Sequence, residues 1–159
     1  MAGSSNPSNP RVAVIAIIDD GHGRVVAGRR IGPLGGGTWT FPGGHLDFGE
    51  SIFGCAERET LEESGLVVRG VKVVGVTNDF FTENNLHYIT VWARCERVDD
   101  KQQPQRMEPD KNEGWQWTMW QELEQMAADQ EESKGLFVPL YNLVTEFPEL
   151  GTEIKNQAR

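Results

Sequence analysis

The sequence has few cysteines and no long hydrophobic run. These features argue against a protein held together by disulfides and against one that spans a membrane. Only two residues of the 159 are cysteine, Cys55 and Cys95, and they lack zinc-finger spacing. We therefore expect two reduced thiols and no structural disulfide. No apolar stretch reaches the length that spans a membrane, and the N-terminal MAGSSNPSNP lacks the apolar core of a signal peptide. These features predict a cytoplasmic protein that does not insert into a membrane.

Positive charge is also scarce. The chain has 15 Lys and Arg against 24 Asp and Glu, which gives a net charge of −9. A protein that binds a nucleic-acid polymer usually presents a basic surface that displaces counterions, so we do not expect a partner of that class. A small anionic ligand would need arginines or a metal ion to supply positive charge locally.

Hydrophobic patterning predicts one domain between two polar tails. Residues 1–10 are expected to be disordered, 11–150 to form the domain, and 151–159 to be a flexible tail. The β-branched run RVAVIAIID is typical of a strand buried on both faces. Strands that alternate with helices predict an α/β (α+β) sandwich, with a central mixed sheet between the helix at 51–64 and a C-terminal helix. The predicted strands are 11–19, 24–30, 39–41, 71–81, 87–98 and 114–120, and the predicted helices are 51–64, 121–128 and 136–147.

The predicted helix at 51–64 carries the stretch RETLEESG, in which three glutamates follow one arginine. Like charges four residues apart destabilise a helix by roughly 0.2–0.5 kcal/mol per pair. Projected at about 100° per residue, Glu59 and Glu63 fall in the middle of the apolar face that contains Ala56. A merely solvated charged face would lie on the opposite side, so we expect both carboxylates to point inward.

Two inward-facing carboxylates are unfavourable unless a proton or a cation lies between them. Hard divalent cations prefer oxygen ligands, and Mg²⁺ is usually held by one or two carboxylates together with substrate phosphates. The placement of Glu59 and Glu63 therefore predicts either a protonated carboxyl group or a metal site.

The segment around this helix resembles the Nudix box. GGHLDFGESIFGCAERETLEESGL follows the pattern of Gly, five residues, Glu, seven residues, Arg-Glu, an apolar residue, any residue, Glu-Glu, any residue, Gly and an apolar residue. Thr60, at the first apolar position, is the departure from it. The likeness covers about 11–147 and is closest to MutT-like eukaryotic cytosolic Nudix enzymes that hydrolyse nucleoside triphosphates. The matching positions are Gly44, Glu50, Arg58, Glu59, Glu62, Glu63, Gly65 and Leu66.

The resemblance implies a reaction and a set of ligands. Nudix hydrolases cleave a nucleoside diphosphate linked to another group, using Mg²⁺, or Mn²⁺ in its place, and an attacking water. By resemblance Glu59 and Glu63 bind the metal, and the carbonyl group of Gly43 completes the coordination. Glu62 would bind a second ion or the attacking water, and Arg58 would orient a carboxylate in the catalytic group.

Residues outside the box match the family less specifically. Glu113 resembles a distal glutamate that serves as a further metal ligand or as the general base. Arg30 resembles an arginine that contacts a substrate phosphate, and His45 would reach the nucleotide. Trp115 and Trp117 share one face of a predicted strand and are expected to pack rather than stack on a base. The positions that match the base pocket of similar proteins, or that would close it, are Thr40, Phe41, Thr90, Gly135 and Leu136.

These matches predict hydrolysis of a nucleoside triphosphate, including an oxidised or modified guanine nucleotide, to a nucleoside monophosphate and pyrophosphate. The box is specific for a diphosphate and a metal but not for the leaving group, so NADH, ADP-ribose or an isoprenyl diphosphate is an alternative substrate. A nucleobase needs convergent hydrogen-bonding groups, whereas an isoprenoid needs only an apolar wall. A catalytically inactive nucleotide sensor is a remote alternative, since such proteins tend to lose box glutamates and this chain keeps them.

A homodimer is also expected. Resembling proteins are often homodimers, and two long strands are predicted at 71–81 and 87–98. We expect Trp92, in the second of them, to add apolar surface that a small domain does not cover by itself.

Overall fold

The computed structural model describes residues 9–129 and 135–157, which form two β-sheets with helices packed on them. In chain order the strands are β1 (Arg11–Ile18), β2 (Arg24–Arg30), β3 (Trp39–Thr40), β4 (Gly43–His45), β5 (Val68–Phe81), β6 (Leu86–Arg97) and β7 (Asn112–Met119). The helices are α1 (Ile52–Ser64), α2 (Trp120–Ala128), α3 (Val138–Glu146) and α4 (Pro148–Asn156). Within the described residues, no helix is long and apolar enough to cross a membrane.

The larger sheet is mixed, which confirms the predicted fold class. Its strand order is β4-β1-β6-β5, with β1 parallel to β6 and the other neighbours antiparallel. A second, antiparallel sheet has the order β3-β2-β7. The sequence pattern predicts one central sheet and does not separate these two, because the strands of both sheets are interleaved along the chain.

The side chains of β1 alternate between two hydrophobic cores, as its continuous apolar run predicts. Ile15 and Ile17 pack with Trp92, Trp120 and the apolar faces of α2, α3 and α4. Val14, Ala16 and Ile18 face the other way and pack with Cys55 and Ala56 of α1. Helix α1 therefore lies on one side of the mixed sheet, and the three later helices lie on the other.

Helix α1 begins and ends where its capping residues place it. Ser51 is the N-cap, and its Oγ accepts a hydrogen bond from the Gly54 amide at 2.9 Å. Gly65 adopts the left-handed conformation, with φ of 72°, and its amide donates to the Leu61 carbonyl at 3.0 Å. These caps determine which part of the Nudix-box segment is helical.

The C-terminal prediction is wrong over part of its length. Residues 151–159 are expected to be a flexible tail, but α4 continues to Asn156 and buries Gly151 and Ile154. A Cβ atom at Gly151 would lie 2.4 Å from the indole nitrogen of Trp120, so this helix packs closely against α2. Residues 158–159, and residues 1–8 of the predicted disordered tail, lie outside the described residues.

Cys55 and Cys95 are free and buried, so no disulfide joins them. Burial raises the pKa of each thiol to about 12.

Trp92, expected on the surface, is 0% exposed instead, and its Nε1 donates to Thr77 Oγ1 at 2.9 Å. Trp92 therefore adds no apolar surface for a homodimer.

Thr60 generates a prediction about stability. Its side chain is 0% exposed, and its Oγ1 has no hydrogen-bond partner among the described residues. A buried hydroxyl group without a partner costs about 1–3 kcal/mol, so we expect Thr60→Val, which has nearly the same shape, to raise the free energy of unfolding by about 1 kcal/mol. Urea denaturation measures this change. Thr118→Val is the control, because Thr118 Oγ1 donates to the Gln116 carbonyl at 3.4 Å; a loss of stability in Thr60→Val would contradict the prediction.

Candidate active site

A cavity of about 480 Å³ lies where both sheets meet α1. The residues that line it fall into two chemical groups. The charged residues are Asp47, Glu59, Glu63, Arg30 and Lys111, whereas aliphatic, aromatic and neutral polar residues form the rest of the wall. The remaining lining residues used below are Thr40, Phe41, Gly43, Gly44, His45, Phe81, Tyr88, Thr90, Asn112, Phe137 and Pro139.

The two carboxylates predicted to point inward do so. Glu59 and Glu63 are both half-buried and line the cavity, and the Glu59 side chain is 16% exposed. Glu62, on the flank of the helix, is 53% exposed and does not line the cavity. The helical projection therefore distinguishes the inward pair from its neighbour.

A glycine pair in β4 makes room for these carboxylates. A Cβ atom at Gly44 would lie 2.5 Å from the carboxyl carbon of Glu59, and one at Gly43 would lie 2.5 Å from the Val14 carbonyl oxygen. The backbone of Gly43 also acts on the Glu63 carboxylate and lowers its pKa, against the larger effect of burial. Because neither glycine has a side chain, the backbone of β4 contacts the carboxylates directly.

The electrostatics of Glu63 indicate a shortage of positive charge. Burial raises the pKa of Glu63 well above its usual range, and the neighbouring charges of Glu59 and Glu108 raise this pKa further. A bound cation would remove this penalty, and the hard oxygen atoms of the pair fit Mg²⁺. Among the described residues, no group of three or more His, Cys, Asp or Glu is close enough to hold a metal ion. Further ligands would therefore be backbone carbonyl groups, water or substrate phosphates.

Arg58 holds the neighbouring carboxylates in place. Its guanidinium group donates to both oxygens of Glu50, at 2.7 and 3.0 Å, and to Glu59 at 2.9 Å. It also reaches Glu62 and the His45 carbonyl, at 3.4 and 3.2 Å. The hydrogen bonds from Arg58 lower the pKa of Glu50 to about 2. This geometry supports the predicted orienting role and leaves Arg58 away from the cavity lining.

Two cationic side chains line the cavity. Arg30, identified from the sequence, lies with its guanidinium carbon 4.0 Å from the ring centre of Phe137, and its Nε donates to the Leu34 carbonyl at 3.0 Å. Burial lowers the pKa of Arg30. Lys111 lies in a long irregular segment with no sequence pattern that would indicate its position, and its Nζ is 3.0 Å from Glu108.

Besides Arg30, four of the expected substrate-binding residues line the cavity: Thr40, Phe41, His45 and Thr90. His45 stacks on Tyr88, and their Nε2 and Oη atoms are 2.9 Å apart. This contact joins β4 to β6 across the intervening strand β1.

Gly135 and Leu136 are described but do not line the cavity, contrary to the prediction that they close it. Leu136 is 3% exposed, packs in the core and forms an isolated bridge with Trp39. This bridge directs the following residues, Phe137 and Pro139, to the cavity wall instead. The sequence therefore predicts the correct segment but the wrong side chains, because no local pattern indicates the bridge between Trp39 and Leu136.

Glu113 also lies elsewhere. Its side chain is 53% exposed and forms an ion pair with Arg29 at 3.5 Å. The next residue, Gly114, has φ of 127°, and this irregularity turns Asn112 and Trp115 toward the cavity while Glu113 faces outward. Glu108, five positions earlier, is the distal glutamate whose charge acts on Glu63.

Both tryptophans of β7 pack within the protein, and Trp115 also lines the cavity, so the absence of base stacking stays a prediction. Trp115 is 9% exposed, and its Nε1 donates to the Glu63 carbonyl at 2.9 Å. Trp117 Nε1 donates to Gln103 Oε1 at 2.7 Å, and the Arg97 guanidinium lies over its ring. Trp115 thus connects β7 to the end of α1 that carries Glu63.

With the fold and the site described, the relationship to known proteins can be stated. The family model described as the NUDIX domain matches residues 9–141. The chain therefore belongs to the Nudix family. The Nudix hydrolase from Nitrosomonas europaea has the same fold, with a TM-score of 0.72, 22% identity and 90% of each chain covered.

Two curated relatives are similar over shorter segments. The oxidized purine nucleoside triphosphate hydrolase of Danio rerio is 40% identical over 65 residues, which cover 40% of this chain and 42% of that protein. The RNA pyrophosphohydrolase of Novosphingobium aromaticivorans is 34% identical over 73 residues, which cover 46% of this chain and 44% of that protein. The chain thus spans less than half the length of either relative. One relative is from a vertebrate and the other from a bacterium, so the likeness is to the family and not to its eukaryotic members alone.

The buried carboxylate pair predicts how stability depends on pH without metal. The pKa of Glu63 is higher in the folded than in the unfolded state. The stabilising contribution of this residue to the free energy of unfolding is therefore complete below the unfolded pKa of about 4. That contribution is lost as the pH rises toward the folded pKa. In EDTA, Glu63→Gln should therefore raise Tm by several degrees at pH 8 and by less at pH 5. Differential scanning calorimetry measures the difference in Tm between the variant and the wild type. Added Mg²⁺ should reduce this difference, because it should stabilise only the wild-type protein. An equal difference at both pH values would contradict the prediction.

Proposed function

We propose that this chain is a Mg²⁺-dependent pyrophosphohydrolase that converts a nucleoside triphosphate, including an oxidised guanine nucleotide, to a monophosphate and pyrophosphate. The observation that carries the proposal is the half-buried pair of Glu59 and Glu63, which shares one cavity with Arg30 and Lys111. Carboxylates that need a cation, beside cations that attract an anion, fit a metal-bound phosphate chain. Mn²⁺ would replace Mg²⁺ in the same oxygen site.

The metal would be held by Glu59 and Glu63, with the Gly43 carbonyl as the further ligand that the resemblance implies. When bound, Mg²⁺ would contact phosphate oxygens, lower the pKa of water and neutralise developing charge. Glu108, whose charge acts on Glu63, is our choice for the general base first expected of Glu113. Glu62 is exposed beside the pair and is our candidate to orient the attacking water.

The remaining residues would bind and position the substrate. Arg30 and Lys111 would contact the phosphates, and the ring of Phe137 keeps the Arg30 guanidinium in one orientation. Arg58 would hold Glu59 through the hydrogen bond at 2.9 Å, so that this carboxylate faces the cavity.

The cavity wall favours a nucleotide over an isoprenyl diphosphate. Phe41, Phe81 and Phe137 would contact either a base or a lipid chain, but His45 and Tyr88 add polar atoms to the same lining. Convergent polar groups in an apolar wall suit a nucleobase. The name of the Danio rerio relative supports an oxidised purine. NADH, ADP-ribose and an isoprenyl diphosphate stay alternatives for the substrate panel, and we keep a cytoplasmic location as an expectation.

Glu63→Gln tests the proposal. The amide keeps the shape of the side chain and removes its charge, so turnover of nucleoside triphosphates with Mg²⁺ should fall by about two orders of magnitude or more, while the protein stays folded. Wild-type enzyme in ¹⁸O-water should place the label in the monophosphate, which indicates attack on the α-phosphorus. Release of pyrophosphate against phosphate is measured across the substrate panel.

The control for this test is Glu57→Gln, which removes a glutamate from the same helix but outside the cavity lining. It should retain wild-type turnover. Retention of most Mg²⁺-dependent activity by Glu63→Gln would refute the proposal. Binding of nucleotides by the wild type without turnover would favour the inactive sensor.

We propose that the protein forms a homodimer through the outer face of β5 rather than through Trp92. Val73, Val76 and Phe80 are 43%, 51% and 56% exposed on this edge strand. They share a sheet face with Val91, which packs against the α1 core, and within the described residues α1 does not cover them. A second copy of this face would remove that apolar surface from water.

Phe80→Glu tests the assembly. A buried charge on each side of a symmetric contact repels its copy, so the variant should behave as a monomer of 17.8 kDa in light scattering at micromolar concentration. Met119→Glu, a change of similar kind at a 38% exposed residue of β7, should leave the dimer intact. A monomeric wild type would refute this proposal and leave the enzymatic one standing.

A further inference from the structure

The two carboxylates of the proposed metal site are held in different ways. Glu59 is held at its carboxylate, because the Arg58 guanidinium group donates to it at 2.9 Å. Within the described residues, neither a lysine nor an arginine forms an ion pair with Glu63. The charges of Glu59 and Glu108 act on Glu63 with the same sign and repel it. The direction of the Glu63 side chain therefore depends on how its backbone is held.

Glu63 lies in the last turn of α1, where helical carbonyl groups have no donor within the helix. Donors from distant parts of the chain satisfy them. The Gln105 amide donates to the Ser64 carbonyl at 2.8 Å. The Glu63 carbonyl accepts from the indole Nε1 of Trp115 at 2.9 Å, and from the Met107 amide at the longer distance of 3.4 Å. Trp115 is thus the closer of the two groups that hold the backbone of Glu63.

The strand opposite Trp115 fixes the position of its indole ring. Trp115 pairs with Gly28 of β2 in the antiparallel sheet. A Cβ atom at Gly28 would lie 2.8 Å from Cε3 of the indole, so the ring fills the space that a side chain would occupy. Trp115 also belongs to the core that contains Cys55 and Ala56 of α1. These contacts keep the ring N–H at the end of α1.

The indole supplies a donor but no net charge. The C-terminal end of a helix carries a partial negative charge, because the carbonyl dipoles point toward it. At this end of α1 that charge adds to the charges of Glu59 and Glu63. The N–H group of Trp115 satisfies one carbonyl group, and the need of the two carboxylates for a cation stays. The hydrogen bond therefore orients Glu63 without taking the place of a metal ion.

We infer that Trp115 is a positioning residue for the metal site, because its indole N–H holds the last turn of α1 so that the Glu63 carboxylate faces the cavity beside Glu59. The inference rests on the proposed function and deepens it, since it assigns part of the metal affinity to a residue of the other sheet. Hydrogen bonds behind a ligand fix its orientation, and the loss of one typically lowers metal affinity about 10–100-fold.

Trp115→Phe tests this role, because it keeps an aromatic ring and removes the donor. Without nucleotide, the dissociation constant for Mn²⁺ should rise roughly tenfold, and electron paramagnetic resonance of free Mn²⁺ measures it. In turnover, the Mg²⁺ concentration for half-maximal rate should rise by a similar factor. Excess Mg²⁺ should then restore most of kcat, with KM for the nucleotide close to the wild-type value. A merely structural role would lower stability and leave these metal-dependent quantities unchanged.

A second variant isolates the donor, because Trp115→Phe also removes one ring. 3-Benzothienylalanine incorporated in place of Trp115 keeps both rings and has sulfur where the indole has N–H. It should show the same rise in the dissociation constant for Mn²⁺ as Trp115→Phe. Wild-type affinity for Mn²⁺ in this variant would overturn the inference, and this result would count even if Trp115→Phe did not fold.

The matched control is Trp117→Phe, which makes the same change two positions along the same strand. Trp117 Nε1 donates to Gln103 Oε1 at 2.7 Å, and Trp117 does not line the cavity. This variant should keep the wild-type affinity for Mn²⁺ and the wild-type turnover. An equal loss of affinity in both variants would overturn the assignment to the Trp115 donor.

The same measurements separate this inference from the proposed function. Hydrolysis that depends on Glu63, with an affinity for Mn²⁺ that does not depend on Trp115, would refute the inference alone. Binding of Mn²⁺ that depends on Trp115, by a wild type that hydrolyses no triphosphate, would refute the proposed function alone. A wild type that neither binds Mn²⁺ nor hydrolyses a triphosphate would refute both.

Discussion

Two like charges can lie side by side below a protein surface only where the surrounding structure gives them room and compensation. In this protein that constraint is met where α1 packs against β4. The glycine pair leaves space for the carboxyl group of Glu59, and the backbone of Gly43 offsets part of the penalty on Glu63. The contact between α1 and β4 sets the position of the cavity. The carboxylates at this contact need a cation, and the cationic side chains of the cavity lie near them.

The supports of that contact come from separate parts of the chain. Ser51 and Gly65 set the ends of α1, and Arg58 fixes Glu59 relative to Glu50. On the far side, Trp115 binds the backbone of Glu63 from β7. A change at the end of α1 is therefore transmitted to both sheets, since one sheet contains β4 and the other contains β7.

A neutral hydrogen-bonded cluster lies behind this charged region. Around Glu59 and Glu63, compensation comes from Arg58 and, in our proposal, from a metal ion. Around the buried Asp79, the hydrogen-bond donors among the described residues are hydroxyl and amide groups. The first arrangement suits a charged phosphate chain, and the second joins α3 to the mixed sheet through Asn142. The protein thus compensates its buried carboxylates in two different ways.

Local sequence patterns predict α1 to within one residue, the span of β2 and the inward direction of Glu59 and Glu63, because helical and strand periods depend on residues within a few positions of each other. They also indicate Arg30, Thr40, Phe41, His45 and Thr90 as lining residues, through the family resemblance. Only the tertiary structure brings Lys111 and Phe137 to the cavity and turns Glu113 away from it. Those positions depend on a long irregular segment, an isolated bridge to Trp39 and the backbone irregularity at Gly114. The sequence thus determined the chemical groups on one helix, and long-range contacts decided which distant side chains face them, since such contacts leave no periodic pattern in the chain.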